Sequence, residues 1–409
     1  MSHDTVTAPD HAPSLWRLFA IFFKIGCIAW GGYMALVSVV RAEVVEKQRL
    51  MSDDEIMEGV ALAMVLPGPV AVNVVAFVGN RLAGALGALV CATAVILPSF
   101  ALMIGFAVAF FSVEDQLIAQ ALVAGIVPAI AAIILNAALK MGKNALAGPL
   151  DWAIAALAAA LVIFVGGILM VFLLILGAGL IGILRYRSSI NAAVPNRGTP
   201  QRFGLSFWVT STFLLACILL FLNASQLAPA GAVAQMFSTF SGMSLILFGG
   251  GYIFIPMLQE AVVGTYGWLA DDEFAASIAL GQVTPGPILI SATFVGYKVA
   301  GLLGAFVATV AIFMPPACLI VLMSNQMDRV RNSTMYQAAQ KSIRVAVVGM
   351  ITASGLALLG TLDFSALTPG LLLSLGIFAA SLLALIGFKK GEVWVIVMAG
   401  ALAAVPLLV

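Results

Sequence analysis

The sequence predicts an all-α polytopic membrane protein of two inverted-topology repeats, about six spans each, with helices broken at Pro-Gly-Pro. Three observations carry this expectation: the composition, an internal repeat, and the placement of charge on the connections. Of 409 residues, 63% are hydrophobic and 9% charged, too little polar material to cover a globular surface in water. Apolar runs of about 20 residues, the length that crosses a bilayer, follow one another almost without pause. A net charge of +1 gives no general attraction to nucleic acid.

The repeat centres on Pro67-Gly68-Pro69 and Pro285-Gly286-Pro287. Up to the break the copies read SDDEIMEGVALAMVLPGP (52–69) and ADDEFAASIALGQVTPGP (270–287), and past it VLPGPVAVNVVAFVGNRLAGALGA and VTPGPILISATFVGYKVAGLLGA. The offset is 218 residues before the break and 217 after it. Proline removes a backbone donor and clashes with the preceding turn, so each copy is expected to form two half-helices. The chain then divides into a polar N-terminal arm (1–14), a first membrane repeat (15–184), a basic linker plus an unpaired span (185–230) and a second repeat (231–409). Spans are expected near 15–40, 56–80, 82–111, 117–139, 148–165 and 167–184, then 203–223. The second half offers 232–256, 274–297, 299–324, 340–360, 367–387 and 392–409.

Six spans plus one is an odd offset, which inverts the second repeat. With the N-terminus cytoplasmic, the cytoplasmic connections carry Arg81, Lys140, Lys143, Arg185, Arg187, Arg197, Arg202, Arg329, Arg331, Lys389 and Lys390. The opposite connections near 112–116, 166, 224–230 and 361–366 carry no Lys or Arg, as the positive-inside rule requires. One segment conflicts: 41–55 falls outside despite Arg41, Lys47 and Arg49.

A broken helix at membrane depth is tolerated only when buried in protein or lining a polar cavity, so each break is a candidate site. The second proline of each copy can open the downstream half-helix. Its unpaired N–H groups and positive dipole end then favour an anion. Asn73 lies one turn beyond the first break, and Gln282, Thr284, Ser291 and Thr293 surround the second; hydroxyls in membrane helices also commonly bond their own backbone. Lys24, Arg41, Arg81 and Lys298 are the candidate positive charges, with anchoring at the interface as their alternative use. Glu43 and Glu260 align across the repeat and are candidates for a coupling proton, against a plain interfacial salt-bridge role. Asp53-Asp54-Glu55 and Asp271-Asp272-Glu273 read as helix N-terminal capping.

Most enzyme chemistry is excluded. The only histidines, His3 and His11, lie in the N-terminal arm, and Cys27, Cys91, Cys217 and Cys318 lack paired spacing, so no metal site or histidine-based triad is expected within the spans. No phosphate-binding loop is present to drive an ATP motor.

The glycine pair near residue 31, the acidic triplet, the Pro-Gly-Pro break, the glycines from Gly79 to Gly87, and Leu97-Pro98 with its counterpart Met314-Pro315 resemble the chromate ion transporter (CHR) family. The resemblance covers both halves, as in the long two-domain members. It implies export of chromate, a tetrahedral oxyanion, by a secondary transporter in the bacterial cytoplasmic membrane, conferring chromate resistance, and it marks the two Pro-Gly-Pro motifs. A Gln three residues before the break is common in that family; Gln282 keeps it, and Met64 replaces it in the first half. No cofactor is expected; the partners are chromate, with sulfate as an alternative, and the lipid bilayer, and oligomeric state, a homodimer included, stays open. The residues alone equally allow a sulfate or small-carboxylate carrier or exchanger, or an anion channel.

Overall fold

The computed structural model describes residues 13–29, 32–112, 116–186, 205–222, 231–247, 253–324, 334–362, 368–388 and 391–404. The N-terminal histidines, Gly31, Gly249, most of the basic linker, Arg329, Arg331, Lys389 and Lys390 lie outside these residues.

Among the described residues the chain is helical throughout. The first half contains α1 (Leu15–Ile28), α2 (Gly32–Arg41, running on as a π-turn Ala42–Lys47), α3 (Asp53–Val65), α4 (Val70–Ser112), α5 (Gln116–Ala145), α6 (Pro149–Phe164) and α7 (Ile168–Tyr186). After α8 (Leu205–Leu222) come α9 (Ala232–Ser244), α10 (Phe254–Gln259, running on as a π-turn Glu260–Thr265), α11 (Asp271–Val283) and α12 (Ser291–Met323). The last three are α13 (Thr334–Gly360), α14 (Pro369–Leu382) and α15 (Glu392–Ala404).

The expected half-helices form, and they fold back on themselves. Glu58 pairs with Arg81 at 2.9 Å and Gly59 packs on the ring of Phe77, so partners equidistant from the break meet side by side. Thirteen residues make a helix of about 20 Å, short of the roughly 30 Å hydrocarbon layer. Helix α3 and 70–82 are therefore a re-entrant hairpin with Pro67-Gly68-Pro69 at its tip. The second copy does the same: Glu273 meets Lys298 at 2.7 Å and Ser291 Oγ donates to the Ser277 carbonyl at 2.9 Å. Lipid is as apolar as leucine, so close packing rather than escape from water holds such a hairpin. A Cβ on Gly59 would collide with Phe77.

Helices α1 and α2 fold back likewise. Arg17 Nη2 donates to Gln48 Oε1 at 3.0 Å, a pair that a continuous helix would hold about 45 Å apart. In the second half Thr239 Oγ1 and Tyr266 OH lie 3.0 Å apart. Each repeat thus keeps six membrane units, but its first two enter and return by the same face. The segments 15–40, 56–80, 232–256 and 274–297 are not full crossings. This removes the charge conflict: 41–55, with its three bases, lies on the same face as the start of α1 rather than outside. Among the described residues five helices are long and apolar enough to cross a membrane, and Pro149–Phe164, Met170–Arg185, Ser211–Phe221 and Glu392–Ala403 are shorter apolar ones.

Opposite entry of the two Pro-Gly-Pro hairpins follows from the long helices. Ala83 and Gly84 (φ +65°) interrupt α4, and the Gly79 and Gly87 backbones touch across that turn. Residues 85–112 therefore start at the mouth of the first hairpin. They end with Phe110 and Phe111 against Phe294 and with the Lys298 ammonium 4.7 Å from the centroid of the Phe111 ring, at the mouth of the second. The reciprocal path starts at the turn Ala300-Gly301 in α12 and ends at Ser324, whose Oγ accepts from Asn80 Nδ2 at 2.9 Å. Each long helix leads from the mouth of one hairpin to the mouth of the other, so the two open on opposite faces, as inverted repeats require.

Candidate functional site

Both tips reach the middle of the other half's long helix. A Cβ on Gly68 would strike the Pro316 ring, and one on Gly286 would strike Ser99 Oγ. Pro316 and Ser99 are repeat equivalents, so the two contacts exchange under one pseudo-twofold. Gly68 (φ +106°) and Gly286 (φ +127°) occupy backbone conformations that side-chain-bearing residues rarely adopt. Glycine is needed there both for this turn and for the close approach.

At the first tip, the Gly68 N–H donates to the Leu247 carbonyl at 2.7 Å, tying it to the residues that follow the end of α9. Asn73 Nδ2 donates to the Pro67 carbonyl at 3.0 Å, and the Asn73 N–H to the Pro69 carbonyl at 2.9 Å. Asn73 is fully buried, yet its Oδ1 has no partner among the described residues. The first-turn N–H groups of Val70, Ala71 and Val72 point toward the break, since a helix offers them no internal acceptor.

The second tip is more self-contained. Thr284 Oγ1 donates to the Gly281 carbonyl at 2.8 Å. Ser291 Oγ lies 2.9 Å from both the Ser277 and Ile288 carbonyls, and Ser99 Oγ donates to the Pro285 carbonyl. Thr293 and Thr309 hydroxyls bond each other at 2.7 Å. Thr284 and Ser291 therefore spend their protons on backbone, the blander of the two sequence readings, and Thr284 is not a free donor toward an anion. Pro287 opens a 3₁₀ turn, Ile288–Ile290, before α12. Gln282 is half-buried in the last turn of α11, beside this tip.

The candidate cations lie elsewhere. Arg81 and Lys298 sit at the hairpin mouths, twelve and eleven residues beyond the second proline of their breaks, roughly 17 Å along the helix. They are paired with Glu58 and Glu273. Arg41 pairs with Asp53 at the first mouth, and Lys24 reaches Glu43 at 3.2 Å. The exposed pairs of Arg41, Arg81 and Lys298 contribute at most about 1 kcal/mol each, whereas the Glu43 carboxylate met by Lys24 is buried. The structure thus brings Pro67, Gly68, Pro69, Asn73, Gln282, Thr284, Pro285, Gly286 and Pro287 to the two tips, and leaves Lys24, Arg41, Arg81 and Lys298 near the membrane faces. The acidic triplets cap as expected: Ser52 Oγ accepts from the Glu55 N–H and Glu55 Oε2 from the Ser52 N–H, while Glu273 Oε2 accepts from the Ala270 N–H.

Glu43 and Glu260 occupy equivalent places at the starts of the two π-turns, with different company. Burial pushes the Glu43 carboxyl up, but Lys47, Lys24 and Gln48 outweigh it and hold Glu43 below the usual carboxylate range. Glu260 accepts the Gly167 N–H at 2.5 Å. Burial pushes it above that range, with only that N–H pulling down.

Three polar residues on α13 escaped the sequence reading. Gln340 Nε2 donates to the Met64 carbonyl at 3.1 Å, one turn before the first break, and Lys341 and Arg344 lie on the same stripe. The signal in the sequence is two cations, Lys341 and Arg344, inside the apolar run 340–360, with no counterpart in the repeat to mark them.

The sequence model of the chromate transporter family matches residues 16–183 and 234–405. The chain is 30% identical over 398 residues to a chromate transport protein of Pseudomonas aeruginosa, covering 95% of this chain and 91% of that one. It is 28% identical over 347 residues to a chromate transport protein of Cupriavidus metallidurans, covering 85% and 82%. An uncharacterized transporter of Bacillus subtilis, YwrA, is 30% identical over 172 residues, which are 40% of this chain but 91% of YwrA. No solved structure matches the chain.

Proposed function

Because this chain belongs to the chromate transporter family, we propose that it is a secondary transporter that moves chromate outward across the bacterial cytoplasmic membrane and so confers chromate resistance. The observation that carries this reading is the pair of oppositely entering hairpins whose broken tips lie against the middle of each other's long helix. A tetrahedral dianion loses hydration on entering the membrane and needs several donors at once to replace it. Half-helix N-termini supply such donors at mid-depth without a permanent charge on the path. Inverted repeats supply the other requirement of a carrier, two related conformations in which one hairpin and then the other opens to its own face. The face bearing the positive connections is the cytoplasmic one, so export begins at the first hairpin. No nucleotide-binding element drives the cycle, which leaves an ion or a counter-transported anion as the source of work, with Glu43 and Glu260 as the candidate proton sites.

The test is flux of radiolabelled chromate in proteoliposomes, with sulfate as competitor and a proton gradient imposed or collapsed. Saturable chromate flux that responds to the gradient is the expected result. Saturable sulfate flux without chromate flux would replace the substrate, and currents beyond any carrier turnover would replace the mechanism with a channel.

A further inference from the structure

We propose that Arg344 is the cation that holds the transported oxyanion, level with the tip of the first hairpin in a passage open to the face on which the chain begins. The proposal rests on the reading of the substrate as a tetrahedral oxyanion.

Depth comes first. Helix α12 ends at Ser324 beside Asn80, at the mouth of the first hairpin, so α13 starts from that face. Helices α3 and α13 both run inward from it, and Gln340 ties them together at the Met64 carbonyl. One further turn along each leads to Arg344 on α13 and to Pro67-Gly68 on the hairpin. Residues four apart share a helix face, so Arg344 lies on the side that Gln340 turns toward the hairpin.

The other faces of α13 are occupied. Ala338 lies against Gly182 of α7, Gly349 against Ala155 of α6 and Gly355 against Leu135 of α5, while Val348, one turn deeper on the face of Arg344, meets Gly142 of α5 and closes that face inward of Arg344. Gln337, Lys341 and Arg344 remain exposed, together with Met57 and Met64 on α3. A guanidinium stays charged at any working pH and is costly facing lipid, so a stripe of this composition within a membrane helix marks a water-filled passage.

Chemistry and asymmetry complete the inference. Among the described residues Arg344 makes no ion pair with a carboxylate, unlike Lys24, Arg41, Lys47, Arg81 and Lys298. Its planar fork matches two oxygens of a tetrahedral oxyanion. The first-turn N–H groups of the half-helix after Pro69 are at the same depth to take the others. The repeat equivalent of Arg344, 217 residues earlier, is Val127, which is buried; the second hairpin has no such cation.

The experiment uses the full chain in liposomes, with the four native cysteines replaced for the labelling arm. Arg344→Gln should lower apparent chromate affinity tenfold or more, and Arg344→Lys should restore part of it. Size-exclusion profiles of both confirm folding. A single cysteine introduced as Arg344→Cys should react with a membrane-impermeant thiosulfonate added from the face of the N-terminus, and chromate should slow that reaction. Unchanged affinity in Arg344→Gln, or a cysteine that is unreactive or unprotected, overturns the proposal. If the wild-type chain carries no chromate, the functional reading fails by itself. The labelling is then repeated with sulfate and molybdate, and protection by either upholds an oxyanion place at Arg344, whereas protection by neither overturns it.

Discussion

The two Pro-Gly-Pro hairpins share a sequence pattern and a backbone path, yet their tips are chemically unlike. The first carries a buried amide, Asn73, whose oxygen has no partner among the described residues, and lies level with Arg344. The second closes its polar groups on itself through Thr284, Ser291 and the incoming Ser99. Duplication preserves what geometry demands, the positive-φ glycine and its flanking prolines. It leaves free what only one copy needs, the groups that meet a ligand. Under the proposed function, substrate contact falls to the first tip and structural closure to the second.

The harshest way to break this comparison is to replace Pro67-Gly68-Pro69 by alanines. A continuous helix cannot fold back, so the hairpin and all chromate transport should be lost; the matching change at Pro285-Gly286-Pro287 should be as damaging. Size-exclusion profiles in detergent and flux in liposomes check both, and retained transport by either variant would reduce the tips to simple kinks.

A gentler pair separates the tips. Asn73→Leu leaves the buried Pro67 carbonyl without its donor, a cost of about 1–3 kcal/mol, and should also lower chromate affinity. Ser291→Ala should cost stability without altering affinity. Thermal unfolding and substrate titration of the two variants distinguish these outcomes, and equal affinity loss would make the tips functionally alike.

The carboxylates sharpen the comparison through pH. The folded chain favours protonated Glu260, so its stabilising contribution is full at low pH and is lost as pH rises through its raised pKa. Glu43 is held low, so its contribution is present above its unfolded value and is lost as pH falls through the folded one. Melting temperature against pH should lose the decline that sets in as pH rises above the ordinary carboxylate range in Glu260→Gln, and the decline on acidification in Glu43→Gln. Transport should lose acceleration by a proton gradient in Glu260→Gln and keep it in Glu43→Gln.

The smallest effect is expected from Arg81→Gln and Lys298→Gln. Both remove exposed ion pairs at the hairpin mouths, worth less than about 1 kcal/mol, and both should change chromate affinity little while altering its salt dependence. A tenfold loss in either would move the anion site outward.

The sequence made the break, the inversion and the capping triplets legible because each has a local chemical signature: a paired proline, a swapped loop charge, an acid three residues after a cap. It did not reveal that the broken segments turn back. Helix length and apolarity read the same for a crossing segment and for a hairpin, and the symmetric pairs Glu58–Arg81 and Glu273–Lys298 are visible only in space. Arg344 stayed hidden for a related reason: its significance lies in its depth relative to Gly68, which depends on Gln340 meeting Met64.

The hydrogen bond from the Gly68 N–H to the Leu247 carbonyl sets a constraint on biogenesis. When the first half leaves the ribosome and enters the bilayer, the acceptor for that donor has not been synthesised, and hydrocarbon offers no substitute. The first hairpin therefore waits, incompletely satisfied, until about 180 more residues emerge, roughly 10–40 s at ordinary elongation rates. During that interval the growing chain is a natural client for an insertion chaperone, and slowing translation between the halves should increase its degradation.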